Sequence, residues 1–281
     1  MSHPITSNSA PVFHAINLAC GGKLCRNEGW INADHNPSAR DVMHVNLLGK
    51  LPFPDNTFDV IYHSQFIEHL SSEMGLVFMK ECNRILKPQG VLRIVTPDLR
   101  NQTLEYLHAL DNLLAEPDNE VAKLRYQWIR LEMLDQLTRH TSGGDMVGFL
   151  RESGYRILDY LWERMGRSGK NLIPAGEVAR REKSLKNLLR GIRDLSRSIK
   201  LSVTPKSLRV GQFRVSGESH LCMYDEYSLS VLLEQAGFQH ITKVGALQSR
   251  IPDWNKTLLD CDESAYPDGG ASLFMEATKL V

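Results

Sequence analysis

Residues 16–22 read INLACGG, an apolar run that ends in Ala19, Cys20 and two glycines. Gly21 and Gly22 present backbone without side chains, which lets a ligand or another chain segment approach closely. The next apolar run, GWINADH (29–35), closes on Asp34. A strand, a glycine turn and an acidic residue ending the following strand is the layout of a nucleoside site. The carboxylate there accepts hydrogen bonds from ribose hydroxyls. The bare pattern is weak, because paired glycines occur by chance and Asp34 also suits a turn. The run A-C-G-G-K-L does not match G-x-G-x-x-G, so neither a pyrophosphate cradle nor a dinucleotide enzyme is expected.

The elements that must position these residues alternate. HAINLAC (14–20), GWINADH, DVMHVNL (41–47), FDVIYHS (58–64) and VLRIVTP (91–97) read as strands. FDVIYHS is almost continuously apolar, as in a strand buried on both faces. SSEMGLVFMKECNRIL (71–86) carries a helical stripe of Met74, Val77, Phe78, Cys82 and Ile85, and KPQG (87–90) is expected to stop that helix. The alternation predicts a parallel sheet with helices on its faces. Residues 101–165 then read as mostly helical. Leu124, Trp128, Leu131, Leu134 and Leu137 share one helix face, expected to be ordinary core. The alternation returns with a helix at YDEYSLSVLLEQAGF (224–238) and strands at HITKVGA (240–246) and ASLFMEATK (271–279). The long polar link 247–270 is expected to be a functional or mobile loop.

LPFPDNTFDVIYHSQFIEHL (51–70), followed by ECNRILKPQGVLRIVTPDL (81–99), resembles the class I S-adenosylmethionine-dependent methyltransferases, most closely the type 11 group. The resemblance spans about 14–99 and, more loosely, 216–281. It implies an α/β fold with a Rossmann-like seven-stranded sheet, mostly parallel with the last strand antiparallel. Residues 1–100 and 216–281 would form the methyltransferase domain. Residues 101–215 would be a helical insertion after the fifth strand and a lid over the acceptor site.

The resemblance also implies the site, with S-adenosylmethionine as cofactor. Ala19, Cys20, Gly21 and Gly22 would lie against its methionine part, and Asp34 would hold the ribose hydroxyls. Asn46 and Leu47 would frame the adenine, and His63, Ser64 and Gln65 would floor the sulfonium. Glu68 and His69 would begin the next helix on the same rim. The family often has Gly where Ala19 stands, so a negative φ is expected there, and often Asp where Asn46 stands, whose carbonyl can still accept the bond. A hydroxyl acceptor benefits from a general base, for which His63, His69, Asp98 and His220 stand at the strand ends, with His69, His220 and Asp98 as the catalytic candidates. Tyr224 and Glu68 are candidate substrate contacts, with packing under the helix as the alternative for Tyr224.

Composition narrows the partners. Thirty-three basic and 33 acidic residues give zero net charge, which argues against nucleic acid as a partner. Residues 176–214 nevertheless hold eleven basic and three acidic residues, +8 in all. This is either a solvated face or a contact for an anionic group, such as a sugar-linked acceptor, an anionic glycolipid or a membrane surface reached peripherally. No secretory signal or membrane-spanning run is read, and five scattered cysteines suit a reducing cytoplasm. Only Cys20 and Cys25 approach metal-ligand spacing, so no metal is expected. The leading expectation is methyl transfer to a small-molecule or glycan-type acceptor, on oxygen or nitrogen. The alternative is a catalytically silent binding or scaffolding protein of the same fold. An aminopropyl transferase is disfavoured, because no dense acidic cluster follows the fourth strand.

Overall fold

A computed structural model describes residues 13–166, 205–267 and 269–280. Seven strands form one sheet in the order β3-β2-β1-β4-β5-β7-β6. They are β1 (Ala15–Leu18), β2 (Trp30–Asp34), β3 (Val42–His44), β4 (Phe58–Ser64), β5 (Leu86–Pro97), β6 (Phe238–Val244) and β7 (Ser272–Lys279). The first five strands pair in parallel, while β7 runs antiparallel to β5 and β6. Strand order reverses between β1 and β4, and ligands of open α/β sheets bind at the carboxyl ends of strands beside such a reversal.

The central strands are apolar on both sides because both sides are covered, though by different material. Ile16, Leu18 and Ile61 pack on Phe78 and Met79 of α1 (Ser72–Ile85) and on Leu229 and Leu233 of α7 (Glu226–Gln235). On the opposite face, Ala15, Val60 and Tyr62 pack on Ala246, Ile251, Trp254 and Leu259. The expectation of helices on both faces is therefore corrected. The polar link 247–270 supplies the second cover, and it is fastened. Fully buried Arg93 of β5 donates to Asp260 (2.7 Å), to Glu276 of β7 (2.8 Å) and to the carbonyl oxygens of Gln248, Gly245 and Ala246. Its guanidinium also lies 4.5 Å from the Trp254 ring centre.

The helix ends at Ile85, ahead of KPQG, and the chain passes directly into β5. Residues 87–90 lie within β5, where pairing jumps from Phe58–Leu86 to Val60–Val91. The excess residues are absorbed as a bulge, with Gln89 at φ +65° and Lys87 paired to Asp59 at 2.7 Å.

The insertion opens at Asp98, whose side chain accepts from Asn101 N–H and caps α2 (Leu99–Ala115). It continues through α3 (Glu120–Thr138), α4 (Gly144–Glu152) and α5 (Leu158–Met165), and α6 (Lys206–Arg214) leads back towards the sheet. Leu124, Trp128, Ile157, Tyr160 and Leu161 form a separate small core. The expected apolar stripe of α3 holds only in its first half. Further along, Leu134 is exposed, whereas Glu132 and Asp135 are buried. Of the basic stretch 176–214, residues 176–204 lie outside the described residues.

Candidate active site

Two neighbouring regions make up the site at the carboxyl ends of the strands. The first is the turn after β1. Gly21 adopts φ +52°, and a side chain built at Gly21 or Gly22 would meet nothing within 4 Å, so the backbone lies bare. Gly21 N–H donates to Asp34 Oδ2 (2.8 Å) and Asn36 N–H to Oδ1 (2.7 Å). Asp34 thus clasps the glycine turn to the end of β2, and each of its oxygens keeps a further acceptor position. The bare turn and half-spent carboxylate fit a ligand carrying adjacent hydroxyls. Ala19 is a correction: its φ is +53°, not negative. The turn needs a left-handed residue there to bring Cys20 N–H to Ala33 O (3.3 Å), and Ala takes that conformation at a cost of about 1–2 kcal/mol.

Around this turn the other expected contacts divide. Cys20 and Leu47 are buried, and burial pushes the Cys20 thiol up to about 11, so it is a packed thiol rather than a thiolate. Asn46 is exposed, and its side-chain oxygen accepts from Leu48 N–H. Ser64 ends β4. His63 faces inward, fully buried, with Phe78 at 5.3 Å and Phe66 at 6.3 Å between ring centres and no partner for either nitrogen. Burial alone lowers its pKa to about 3.

The second region is a cavity of about 360 Å³ between the sheet and the insertion. Gln65, Glu68 and His69 line its sheet side, Trp128, Glu132 and Gln136 of α3 and Arg164 of α5 line its insertion side, and His220 closes it. Glu68 and His69 sit on a 3₁₀ turn (Ile67–His69) that ends before α1, so they do not begin that helix. Backbone bonds bring His220 beside them. Leu221 N–H and Cys222 N–H donate to Glu68 O (2.7 and 3.1 Å), and His220 N–H donates to Gln136 O (3.0 Å). The rings of His69 and His220 meet edge to face at 4.7 Å.

Burial sets the charge states here. Glu68 is fully buried and its carboxyl is raised to about 8, so it is largely protonated at neutral pH despite the Thr96 hydroxyl that donates to Oε2 (3.1 Å). His69 is lowered by burial against the opposing effect of its bond to Ser219 O. His220 falls to about 3, first through burial and then through the charges of His69 and Arg139. Because Ser219 O can only accept, His69 Nδ1 is the donor in their 3.2 Å contact, which leaves Nε2 with its lone pair.

Of the residues singled out in the sequence, the cavity brings together Glu68, His69, Gln65 and His220. Asp98 and Tyr224 are not among its lining residues. Asp98 is spent on the α2 cap and on Lys243 (3.0 Å). Tyr224 is buried, with its hydroxyl 3.3 Å from the position a side chain at Gly75 would take, so it packs under α1. Sequence reasoning missed Gln102, Glu132, Gln136 and Arg164. The one available signal was a pair of acidic residues, Glu132 and Asp135, on the face of α3 that continues Leu124 and Trp128.

Comparison with known proteins falls on the segment that carries Asp34 of the first region and Gln65, Glu68 and His69 of the second. Residues 27–94 match the model of a methyltransferase domain. A probable S-adenosylmethionine-dependent methyltransferase of Mycolicibacterium smegmatis is 43% identical over 58 residues, 21% of either chain. One from Mycobacterium tuberculosis is 41% identical over 58 residues, 21% of this chain and 20% of its own. The aligned segment thus spans about a fifth of the length of these curated relatives. Among solved structures, an S-adenosylmethionine-dependent methyltransferase from Archaeoglobus fulgidus aligns over 96% of this chain and 85% of its own, at 13% identity and a TM-score of 0.39. The matched segment runs from the approach to β2 through Asp34 and β4 into β5, and over it the chain is similar to S-adenosylmethionine-dependent methyltransferases.

Proposed function

We propose that the chain transfers a methyl group from S-adenosylmethionine to an oxygen or nitrogen of a small-molecule or glycan-type acceptor. The observation that carries this reading is the Gly21–Asp34 clasp, which lies at the strand ends of a chain matched to the methyltransferase domain. Asp34 would accept the two ribose hydroxyls on its remaining lone pairs, and the bare backbone of Gly21 and Gly22 would admit the methionine part. The bound cofactor supplies a sulfonium methyl that is already electrophilic, so the chain's task is mainly to align the acceptor. The cavity would hold it, with Gln65, Gln102 and Gln136 as hydrogen-bonding groups. His69 and His220 are kept neutral by burial, the state in which an imidazole can take the acceptor's proton.

In this reading the insertion, about 101–215, is a lid that selects the acceptor, supported by the cavity wall that α3 and α5 provide. The basic stretch 176–214 would favour an anionic acceptor, such as a lipid-linked or nucleotide-linked sugar, or a peripheral contact with an anionic membrane surface. Among the described residues, no helix is long and apolar enough to cross a membrane. The test is calorimetry with S-adenosylhomocysteine, followed by transfer of labelled methyl to a panel of neutral and anionic glycans. Micromolar binding and labelled product are expected. Absence of binding overturns the reading, and binding without transfer to any acceptor supports a silent binding protein instead.

A further inference from the structure

Within the cavity, a carboxylate oxygen of Glu68 and one ring nitrogen each of His69 and His220 all lie within 4.8 Å of one another. Their orientation is set from behind. Thr96 Oγ1 donates to Glu68 Oε2, and Ser219 O holds His69 Nδ1–H, which leaves Nε2 with its lone pair. Glu68 Oε1 is buried and has no hydrogen-bond partner. Leaving a buried polar atom without a partner costs about 1–3 kcal/mol, a cost that a ligand in the cavity would relieve. The edge-to-face meeting of the two imidazoles brings two neutral nitrogen donors to the same point.

We propose that Glu68, His69 and His220 form a site for one divalent transition-metal ion, with its remaining coordination positions open to the cavity. Two imidazoles and one carboxylate make a donor set for Zn²⁺, Fe²⁺, Mn²⁺ or Co²⁺, whereas Ca²⁺ and Mg²⁺ prefer oxygen ligands alone. Bonds of about 2.1 Å require ligand atoms about 3.4 Å apart in a tetrahedron, so the three side chains close by roughly 1 Å. The backbones that carry them are already fixed by the bonds of Leu221 and Cys222 to Glu68 O. The Thr96 and Ser219 contacts then serve as the outer shell that orients ligands in metal sites. Spacing between cysteines and histidines along the chain could not reveal this group, because its third member arrives from the far side of the insertion.

The site stands independently of methyl transfer. Its consequence for the acceptor rests on that reading: an acceptor hydroxyl bound to the ion would lose its proton to water more readily, and the histidines would act as ligands rather than bases. The test uses full-length, tag-free protein, stripped with a chelator and titrated with Co²⁺ in the absence of cofactor, following the visible absorption of the ion and the heat of binding. One equivalent is expected to bind, and His220→Ala and Glu68→Gln should each weaken binding at least tenfold at unchanged circular dichroism. Glu68→Gln preserves shape and carries the test if His220→Ala fails to fold. No uptake of Co²⁺, or equal affinity in the folded variants, overturns the site. Because cofactor is omitted, neither result depends on whether S-adenosylmethionine binds.

Discussion

Arg164 of α5 and Glu132 of α3 form a two-pronged ion pair, Nε to Oε2 at 3.0 Å and Nη2 to Oε1 at 2.6 Å, on the wall of the cavity. Both side chains are over nine-tenths buried, Trp128 Nε1 donates to the same carboxylate, and Arg164 reaches Asn101 of α2. Three insertion helices therefore meet at one charge pair. Removing one member of such a pair strands the other charge, at a cost of about 3–5 kcal/mol. Arg164→Met should loosen α3 and α5 while the sheet stays intact. Hydrogen exchange resolved by peptide should show faster exchange in 120–165 and unchanged protection in 58–64. Equal protection in both variant and parent would show that the small apolar core alone holds the insertion.

Asp34→Ala should act twice, removing the acceptor for a ligand's hydroxyls and releasing Gly21 N–H. Loss of hydrogen bonds to a charged group at about 1.5–3 kcal/mol each predicts a fall in affinity for S-adenosylhomocysteine of at least tenfold, measured by calorimetry. Asp34→Asn keeps one acceptor and should fall between the two. Affinity unchanged in Asp34→Ala would remove this residue from the cofactor site.

The strands of the fold were legible because each is a short apolar run bounded by turn residues, and β4 was read to its ends, Phe58–Ser64. Residues 87–90 marked the end of the helix but not their own place in β5, because Pro and Gly signal breaks locally, whereas the pairing of β4 with β5 tolerates a bulge there. The fastened course of the polar link 247–270, expected to be a functional or mobile loop, was hidden for a related reason. Its cover of the sheet depends on Arg93, a single charged residue within a strand, whose partners lie far along the chain. The glycine turn and Asp34 were legible as a pair, because both close adjacent strands. The left-handed φ of Ala19 was not, since residue type argued the other way. The cavity was legible only on its sheet side. Its insertion side depends on how α3 packs, and buried Glu132 breaks the apolar pattern that marks a core face.

Arg93 itself gives a sharp test of that loop. Arg93→Met should leave Asp260 and Glu276 buried without their cation, destabilising by about 3–5 kcal/mol. Its expected signature is a lower denaturant midpoint together with early exposure of Trp254, which packs against the guanidinium. Trp254 fluorescence would report it, read against a Trp254→Phe control. A variant unfolding in step with the parent would show that Tyr62, which donates to Asp260 at 2.6 Å, suffices to hold the loop.

His63 ties stability to pH. Its pKa of about 3 in the fold lies below the ordinary histidine value, because burial disfavours the imidazolium and neither nitrogen has a partner. Below about pH 6.5 the unfolded chain therefore binds a proton that the folded chain refuses. The stabilising preference for the neutral ring is complete above that pH and declines by about 1.4 kcal/mol per unit as pH falls towards 3. His220, also near 3, adds a second such proton, so the parent should lose stability between pH 6.5 and 4.5 at up to twice that slope. His63→Leu fills the space between Phe66 and Phe78 with a group that cannot be protonated. Denaturant unfolding of the variant should show a slope reduced by about one proton, and stability at pH 7 equal to or above that of the parent by about 1 kcal/mol, as expected when an unpartnered buried polar group is removed. An unchanged acid slope would mean that His63 is protonated within the fold, and hence that its ring reaches an acceptor or solvent.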